Sequence, residues 1–115
     1  MIDALTARLG ELAALNQTTH CGALARDLGL TGAGTIARLT DALETLMEQD
    51  AAQGRPFRAA MINARGTDLP APGFFDKAAA LGFDPADRIA FVASQRRELH
   101  LSINIHSLPF PDKSP

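Results

Sequence analysis

Apolar side chains recur at helical spacing along most of this chain. Ile2, Leu5, Leu9 and Leu12 are three or four residues apart, which predicts an amphipathic helix over residues 3–15. The same period, less regularly in the shorter segments, predicts four further helices over about residues 20–28, 34–52, 73–82 and 84–99. The chain is therefore expected to be mainly helical.

Residues that favour helix ends separate these segments. Asn16 follows the first apolar stripe and is expected to stop the first helix. Gly29 follows the second stripe, where a left-handed conformation commonly closes a helix. Gly54 follows the third stripe. Asp84 and Pro85 suit the cap and the first position of the fifth helix. These signals set the expected bounds of the helices.

Two segments carry strand patterns. "FRAAMINA" (57–64) lies between Pro56 and Gly66 and is predicted to be a strand. "LSINIH" (101–106) alternates apolar and polar residues, which is typical of a half-buried strand. The proline-rich segment 109–115 is predicted to be a flexible tail.

The order of these elements favours an α+β fold of winged helix-turn-helix type. Three N-terminal helices come first, then a strand and wing, two further helices and a C-terminal strand. Helix two, a glycine-containing turn (29–34) and helix three form the helix-turn-helix, and the strand and turn after helix three occupy the position of a wing. One such domain is expected over residues 1–108.

Composition restricts the environment of the protein. With 115 residues, 46% apolar and 21% charged, the chain resembles a soluble globular protein. No apolar run approaches the roughly 20 residues of a membrane span, and a basic-then-apolar signal pattern is absent. A lone cysteine, Cys21, cannot form an internal disulfide. A cytoplasmic location without membrane association is therefore expected.

Charge is unevenly distributed along the chain. The formal net charge is −2, so no strongly basic surface is expected overall. Residues 31–50 hold one arginine against four acids, a net of −3, whereas residues 53–77 hold three arginines and one lysine against two acids, a net of +2. An anion-binding surface is therefore more plausible in the second segment.

Five residues are the candidate DNA contacts, placed at the start of helix three or on the predicted strand and turn: Thr35, Arg38, Arg55, Arg58 and Arg65. Arginines on a wing contact phosphates without reading the base sequence. The alternative is that these arginines are solvated or paired with nearby acids. The acids along helix three oppose its entry into the major groove, because they repel phosphates.

The other chemistry-bearing residues favour structural roles. Cys21 next to His20 suggests a reactive thiol, or simply a small buried side chain in the second helix. The histidines and the cysteine lack ligand spacing, so no metal or other cofactor is predicted. Pro70 and Pro72 precede Phe74 and Phe75, a pattern that turns the chain and buries two rings or, alternatively, forms a partner-binding corner.

Three segments carry a resemblance to a known family: "TTHCGALARDLGL" (18–30), "TIARLTDAL" (35–43) and "RPFRAAMINARG" (55–66). They resemble the winged-helix domain of DNA alkyltransferases and alkyltransferase-like proteins, which bind DNA through a helix-turn-helix and repair or recognise alkylated guanine. The family's reactive Pro-Cys-His-Arg, or Pro-Trp-His-Arg, is Pro56-Phe57-Arg58 here, and its base-flipping tyrosine is missing. The family's helix-inserted arginine would fall near Ala37. The same region is similar to small uncharacterised bacterial proteins with an "RP…A-x-x-V…G-x-PGxGFF" pattern.

Three functions remain open from the sequence. The first is a non-enzymatic regulator or accessory factor that binds double-stranded DNA. The second is a winged-helix scaffold that binds a protein partner or a second copy of itself, with residues 101–106 as a pairing edge strand. The third is an enzyme or lesion sensor descended from alkyltransferases, which the missing site residues disfavour.

Overall fold

A computed structural model describes the backbone of residues 2–107 and the side chains of residues 2–102. Within these residues the protein is an α+β fold with five α-helices, one short 3₁₀-helix and a two-stranded sheet. The elements in chain order are α1 (Ile2–Leu15), β1 (Thr19–His20), α2 (Cys21–Asp27), α3 (Thr35–Ala52), the 3₁₀-helix (Arg58–Met61), β2 (Ile62–Asn63), α4 (Pro72–Ala80) and α5 (Arg88–Ser107).

The structure confirms the first four predicted helices to within two residues at each end, whereas the fifth begins four residues later and ends eight residues later than predicted. Leu5, Leu9 and Leu12 of α1 are buried, as their spacing requires. Asn16 adopts a left-handed conformation, with φ of 53°, directly after α1. Its N–H donates to the carbonyl of Ala13 at 3.1 Å, so the end of the helix is capped by its own backbone.

The predicted strand over residues 57–64 is mostly wrong. Arg58–Met61 form a 3₁₀-helix, and only Ile62–Asn63 are extended. Alanine is a poor strand former, and the two central residues, Ala59 and Ala60, are small and buried. They let the segment lie between α1, α3 and α5, which all pack on it. Burial between helices therefore outweighs the weak strand preference of the segment.

The wing expected after α3 is not confirmed. In the described part of the chain the sheet is the pairing of β2 with β1, which precedes α2, and the two strands are parallel with Thr19 beside Ile62. Residues 64–69 then form a turn closed by the N–H of Ala64, which donates to the carbonyl of Leu69 at 2.8 Å. The segment after α3 thus returns to the start of α2 instead of forming an antiparallel hairpin.

The predicted C-terminal strand over residues 101–106 is also wrong, because these residues continue α5. Residues 88–107 contain neither glycine nor proline, so nothing in the sequence stops the helix. The start of α5 is shifted as well. Asp87, and not Asp84, caps it by accepting the N–H of Ala90 at 3.0 Å. The predicted tail over 109–115 lies outside the described residues.

The buried apolar side chains form one cluster in which phenylalanine rings are central. Phe57 contacts the rings of Phe74, Phe83 and Phe91, with centroids 5.9, 4.9 and 6.4 Å away. Phe74 and Phe75 are buried, which confirms their prediction as core residues. The cluster joins the loop after α3 to α4 and α5.

Candidate functional site

The segment predicted to be a helix-turn-helix, the α2–α3 unit, consists of α2, residues 28–34 and α3, and α2 packs against α3. Gly29 takes a φ of +70°, and the N–H of Leu30 donates to the carbonyl of Ala25 at 2.9 Å, which closes α2. Gly34 takes a φ of +78° just before α3. Both positions require a left-handed backbone, which glycine adopts without strain.

The start of α3 carries two of the predicted DNA contacts, and the structure brings them together. The hydroxyl of Thr35 donates to the carbonyl of Gly32 at 2.7 Å. Nη2 of Arg38 lies 3.4 Å from Thr35 Oγ1, and Arg38 is exposed. The first turn of α3 thus presents the guanidinium of Arg38 to solvent, next to a half-buried Thr35.

Arg55 and Arg58 are held in a different arrangement, around the buried carboxylate of Asp50. The backbone N–H of Arg58 donates to Oδ2 at 3.0 Å, and its Nε and Nη2 lie 3.0 and 2.8 Å from Oδ1. Nη2 of Arg55 lies 3.2 Å from the same Oδ1. The Asp50 side chain is 0% exposed and that of Arg58 is 17% exposed, so this cluster connects α3 to the loop that follows it.

Arg65 is exposed in the turn after β2, separate from the Asp50 cluster. It lines the same groove as Arg26, an exposed residue of α2. Among the described side chains, Arg26, Arg38 and Arg65 have no carboxylate within ion-pair distance. Sequence reasoning missed Arg26, although its position in the last turn of α2 beside the helix-turn-helix loop was a usable signal.

Two further residues that sequence reasoning missed hold the site in place. Nε of Arg96 on α5 donates to the carbonyl of Ala60 at 2.9 Å, and its Nη2 donates to Oδ1 of Asn63. Burial lowers the pKa of Arg96. The side chain of Gln95 accepts the N–H of Phe57 at 2.7 Å. α5 therefore fixes the 3₁₀-helix and β2 by polar contacts as well as by packing.

A groove with a volume of about 510 Å³ lies between α2, α3, β2 and the start of α4. Most of its walls are apolar, and His20, Arg26, Glu44, Asn63 and Arg65 are the main polar residues in its lining. The size falls within the range of about 300–1,000 Å³ that is common for small-molecule sites.

Cys21 also lines the groove, and it is half-buried. Burial raises the pKa of its thiol, so the protonated form dominates at neutral pH. The adjacent His20 uses Nδ1 to accept the N–H of Ala23 at 3.2 Å and thereby caps α2. The pair thus lacks the activated thiolate that nucleophilic chemistry requires.

The middle of α3 is acidic, as the sequence indicated. Asp41 and Glu48 are exposed, and Glu44 lies at the groove. Lys77 of α4 partly compensates this charge, because its Nζ lies 2.6 Å from Oε2 of Glu48. The cationic part of the unit is therefore confined to α2, the first turn of α3 and the turn after β2.

Comparison of the chain with models of protein families, with curated proteins and with solved structures gives no match. Among the residues that the structure describes, no group of three or more histidine, cysteine or acidic side chains is arranged to hold a metal ion. In the same part of the chain, every helix is too short or too polar to cross a membrane.

Proposed function

We propose that this protein is a non-enzymatic binding protein of winged-helix type that contacts double-stranded DNA through its α2–α3 unit. The observation that carries the proposal is the contrast among its arginines. Among the described residues, Arg8, Arg55 and Arg58 lie on carboxylates, whereas Arg26, Arg38 and Arg65, which are exposed around the unit, have no carboxylate within ion-pair distance. Arg88 and Arg97 on α5 are exposed without a described carboxylate partner as well, so the position of the first three arginines around the unit is what supports the proposal. Unpaired arginines at a helix-turn-helix are suited to phosphate contacts.

The order of the elements agrees with the winged-helix type, although the described residues form a parallel pair of strands in place of the antiparallel hairpin of a wing. Three helices come first, and extended residues precede α2 and follow α3. The parallel pairing of β1 with β2 brings the turn that carries Arg65 to the side of the unit where α2 begins, because Asn63 lies beside His20. A duplex that contacts the first turn of α3 at Arg38 would then also lie near Arg26 of α2 and Arg65 of the turn.

Two features support the non-enzymatic part of the proposal. The thiol of Cys21 is kept protonated by burial, as its raised pKa indicates. The segment that resembles the reactive site of alkyltransferases, Pro56–Arg58, places Phe57 in the core and Arg58 on Asp50. Neither side chain is available to a substrate.

A protein partner is the second candidate, and the charge of α3 favours it. Asp41 and Glu48 are exposed on the helix that would have to approach the phosphates, and Glu44 lies beside them. Such a face suits a basic protein surface better than DNA. Residues 101–106 cannot bind a partner as an edge strand, because they are helical.

Titration of a fluorescently labelled duplex, followed by anisotropy, separates the two candidates. Three phosphate contacts predict that the association constant falls roughly 40-fold when salt rises from about 50 to about 200 mM, a log–log slope of about −2.7. A single-stranded oligonucleotide of the same sequence serves as the control for general polyanion binding. Absence of duplex binding at the lower salt concentration would contradict the DNA proposal and leave the protein partner.

A further inference from the structure

We infer that the groove between α2, α3 and α4 is a binding site for a small organic anion with an apolar body, such as an aromatic carboxylate or sulfonate. The site shares Arg26 and Arg65 with the proposed DNA contacts, but binding there requires no DNA. The inference depends on three properties of the groove: its size, its apolar walls and the separation of its charges.

The walls of the groove bind an apolar body. Leu43, Met47, Ile62 and Phe74 line it while being largely buried by the core, so each presents only part of its surface. Ile36 at the rim is 48% exposed. A ligand that covers this apolar surface gains free energy by removing it from water.

The cations of the groove lie near the start of α2. Nη1 of Arg26 is 3.8 Å from the position that a Cβ on Gly22 would occupy. Arg65 follows Asn63 by two residues, and Asn63 pairs with His20, so the turn with Arg65 reaches the same end of the sheet. Neither arginine lies within ion-pair distance of a described carboxylate, so both remain available to an anion.

The acidic residue in the lining of the groove is Glu44 of α3. The pKa of Lys77 is raised first by its hydrogen bond with Glu48, and also by the charges of Glu48 and Glu44. Glu44 lies one helical turn before Glu48 on α3, and Glu48 pairs with Lys77 of α4 at 2.6 Å. The groove thus has its cations near the start of α2 and its acid on α3, on the side where α3 contacts α4. This polarity predicts a ligand with one anionic group, oriented towards Arg26 and Arg65.

Two fluorescent probes that differ by one charged group test the inference. 8-Anilinonaphthalene-1-sulfonate carries a sulfonate, and N-phenyl-1-naphthylamine has the same aromatic body without it. We expect the sulfonate to saturate one site per chain and to bind about tenfold more tightly than the neutral probe, because charge-assisted hydrogen bonds add to the apolar contact. Equal affinity of the two probes would overturn the inference.

Variants then locate the site. R26Q/R65Q should weaken binding of the sulfonate about tenfold and change that of the neutral probe less than about twofold. Thr40 is exposed on α3 and lines the groove, so T40W should abolish binding of both probes. Thr45 is exposed on the same helix and does not line the groove, so the matched T45W should leave both affinities unchanged.

Cys21 gives an independent readout, because it is the chain's single cysteine and lines the groove. Saturating sulfonate should slow alkylation of Cys21 by iodoacetamide in the wild type and not in T40W. Unchanged alkylation in the wild type, or equal loss of binding in T40W and T45W, would refute the site. Circular dichroism confirms that each variant is folded. These experiments contain no DNA, so their outcome is independent of the proposed DNA contact.

Discussion

Replacing Asp50 with alanine should destabilise the folded protein by about 3–5 kcal/mol. The carboxylate is fully buried and accepts hydrogen bonds from the backbone N–H and the Nε–H of Arg58. Nη2 of Arg58 and Nη2 of Arg55 lie within ion-pair distance of Oδ1, at 2.8 and 3.2 Å. Without it, the guanidinium of Arg58, which is only 17% exposed, remains buried without its counter-charge. An unpaired buried charge costs more than the pair contributes, so the loss should exceed that of an ordinary ion pair.

Urea denaturation, followed by far-ultraviolet circular dichroism, measures this loss. The chain has neither tryptophan nor tyrosine, so intrinsic fluorescence is unsuitable. D41A is the matched control, because Asp41 is exposed on the same helix, and it should change the free energy of unfolding by no more than about 0.5 kcal/mol. If D50A fails to fold, D50N, which retains the shape and one acceptor oxygen, should fold with a smaller loss. A loss below about 1 kcal/mol for D50A would show that the cluster is not needed for stability.

Replacing Phe57 with alanine should have an effect of similar size, about 3–5 kcal/mol. The ring is 1% exposed and lies at the centre of the aromatic cluster, in contact with Phe74, Phe83 and Phe91. Its removal leaves a cavity between the loop after α3, α4 and α5, and rigid rings cannot close such a cavity easily. The lost contacts and the cavity both lower the stability.

The control for this prediction comes from the same cluster. Phe83 lies 4.9 Å from Phe57 between ring centroids, but it is 39% exposed, so F83A should cost half as much or less. The same urea titration compares the two variants. Equal losses for F57A and F83A would contradict the central position of Phe57.

The helices could be predicted from the sequence because their signals are local. The leucines of α1 repeat at three and four residues, and Asn16, Gly29 and Gly54 provide left-handed stops. A left-handed residue after an apolar stripe ends a helix whatever its tertiary surroundings are. The α+β class was predicted from two strand segments, of which only Ile62–Asn63 is extended in the structure.

The strands could not be predicted, because whether a segment becomes extended depends on residues that are distant in the sequence. β1 and β2 are two residues long and pair across more than 40 residues of chain. A periodicity of apolar residues within a short segment cannot indicate such a pairing. The alternation in residues 101–106 fits either a strand or the end of a helix, and α5 continues because no glycine or proline stops it. Residues 58–61 are helical because α1, α3 and α5 surround them.

The candidate site could be predicted only in part, because some of its contacts are local in sequence and others depend on distant residues. Thr35 and Arg38 could be placed together because they share the first turn of α3. Asp50, three residues after Met47 and four after Leu46, follows the buried stripe of α3, so its burial was readable from the helical period. Its pairing with Arg58 depends on the path of the loop after α3. The groove depends on how three helices and a turn meet, which sequence patterns do not encode.

The salt dependence of duplex binding by two matched double variants tests the proposed DNA contact most directly. R38Q/R65Q removes two exposed arginines around the α2–α3 unit, one on α3 and one in the turn after β2, that have no carboxylate within ion-pair distance in the described part of the chain, and R88Q/R97Q removes two exposed arginines from α5. The first should lower the log–log salt slope by about two and weaken binding at low salt, since each phosphate contact contributes about one. The second should keep the wild-type slope. Equal slopes and affinities for both variants would show that DNA, if bound at all, does not contact this unit.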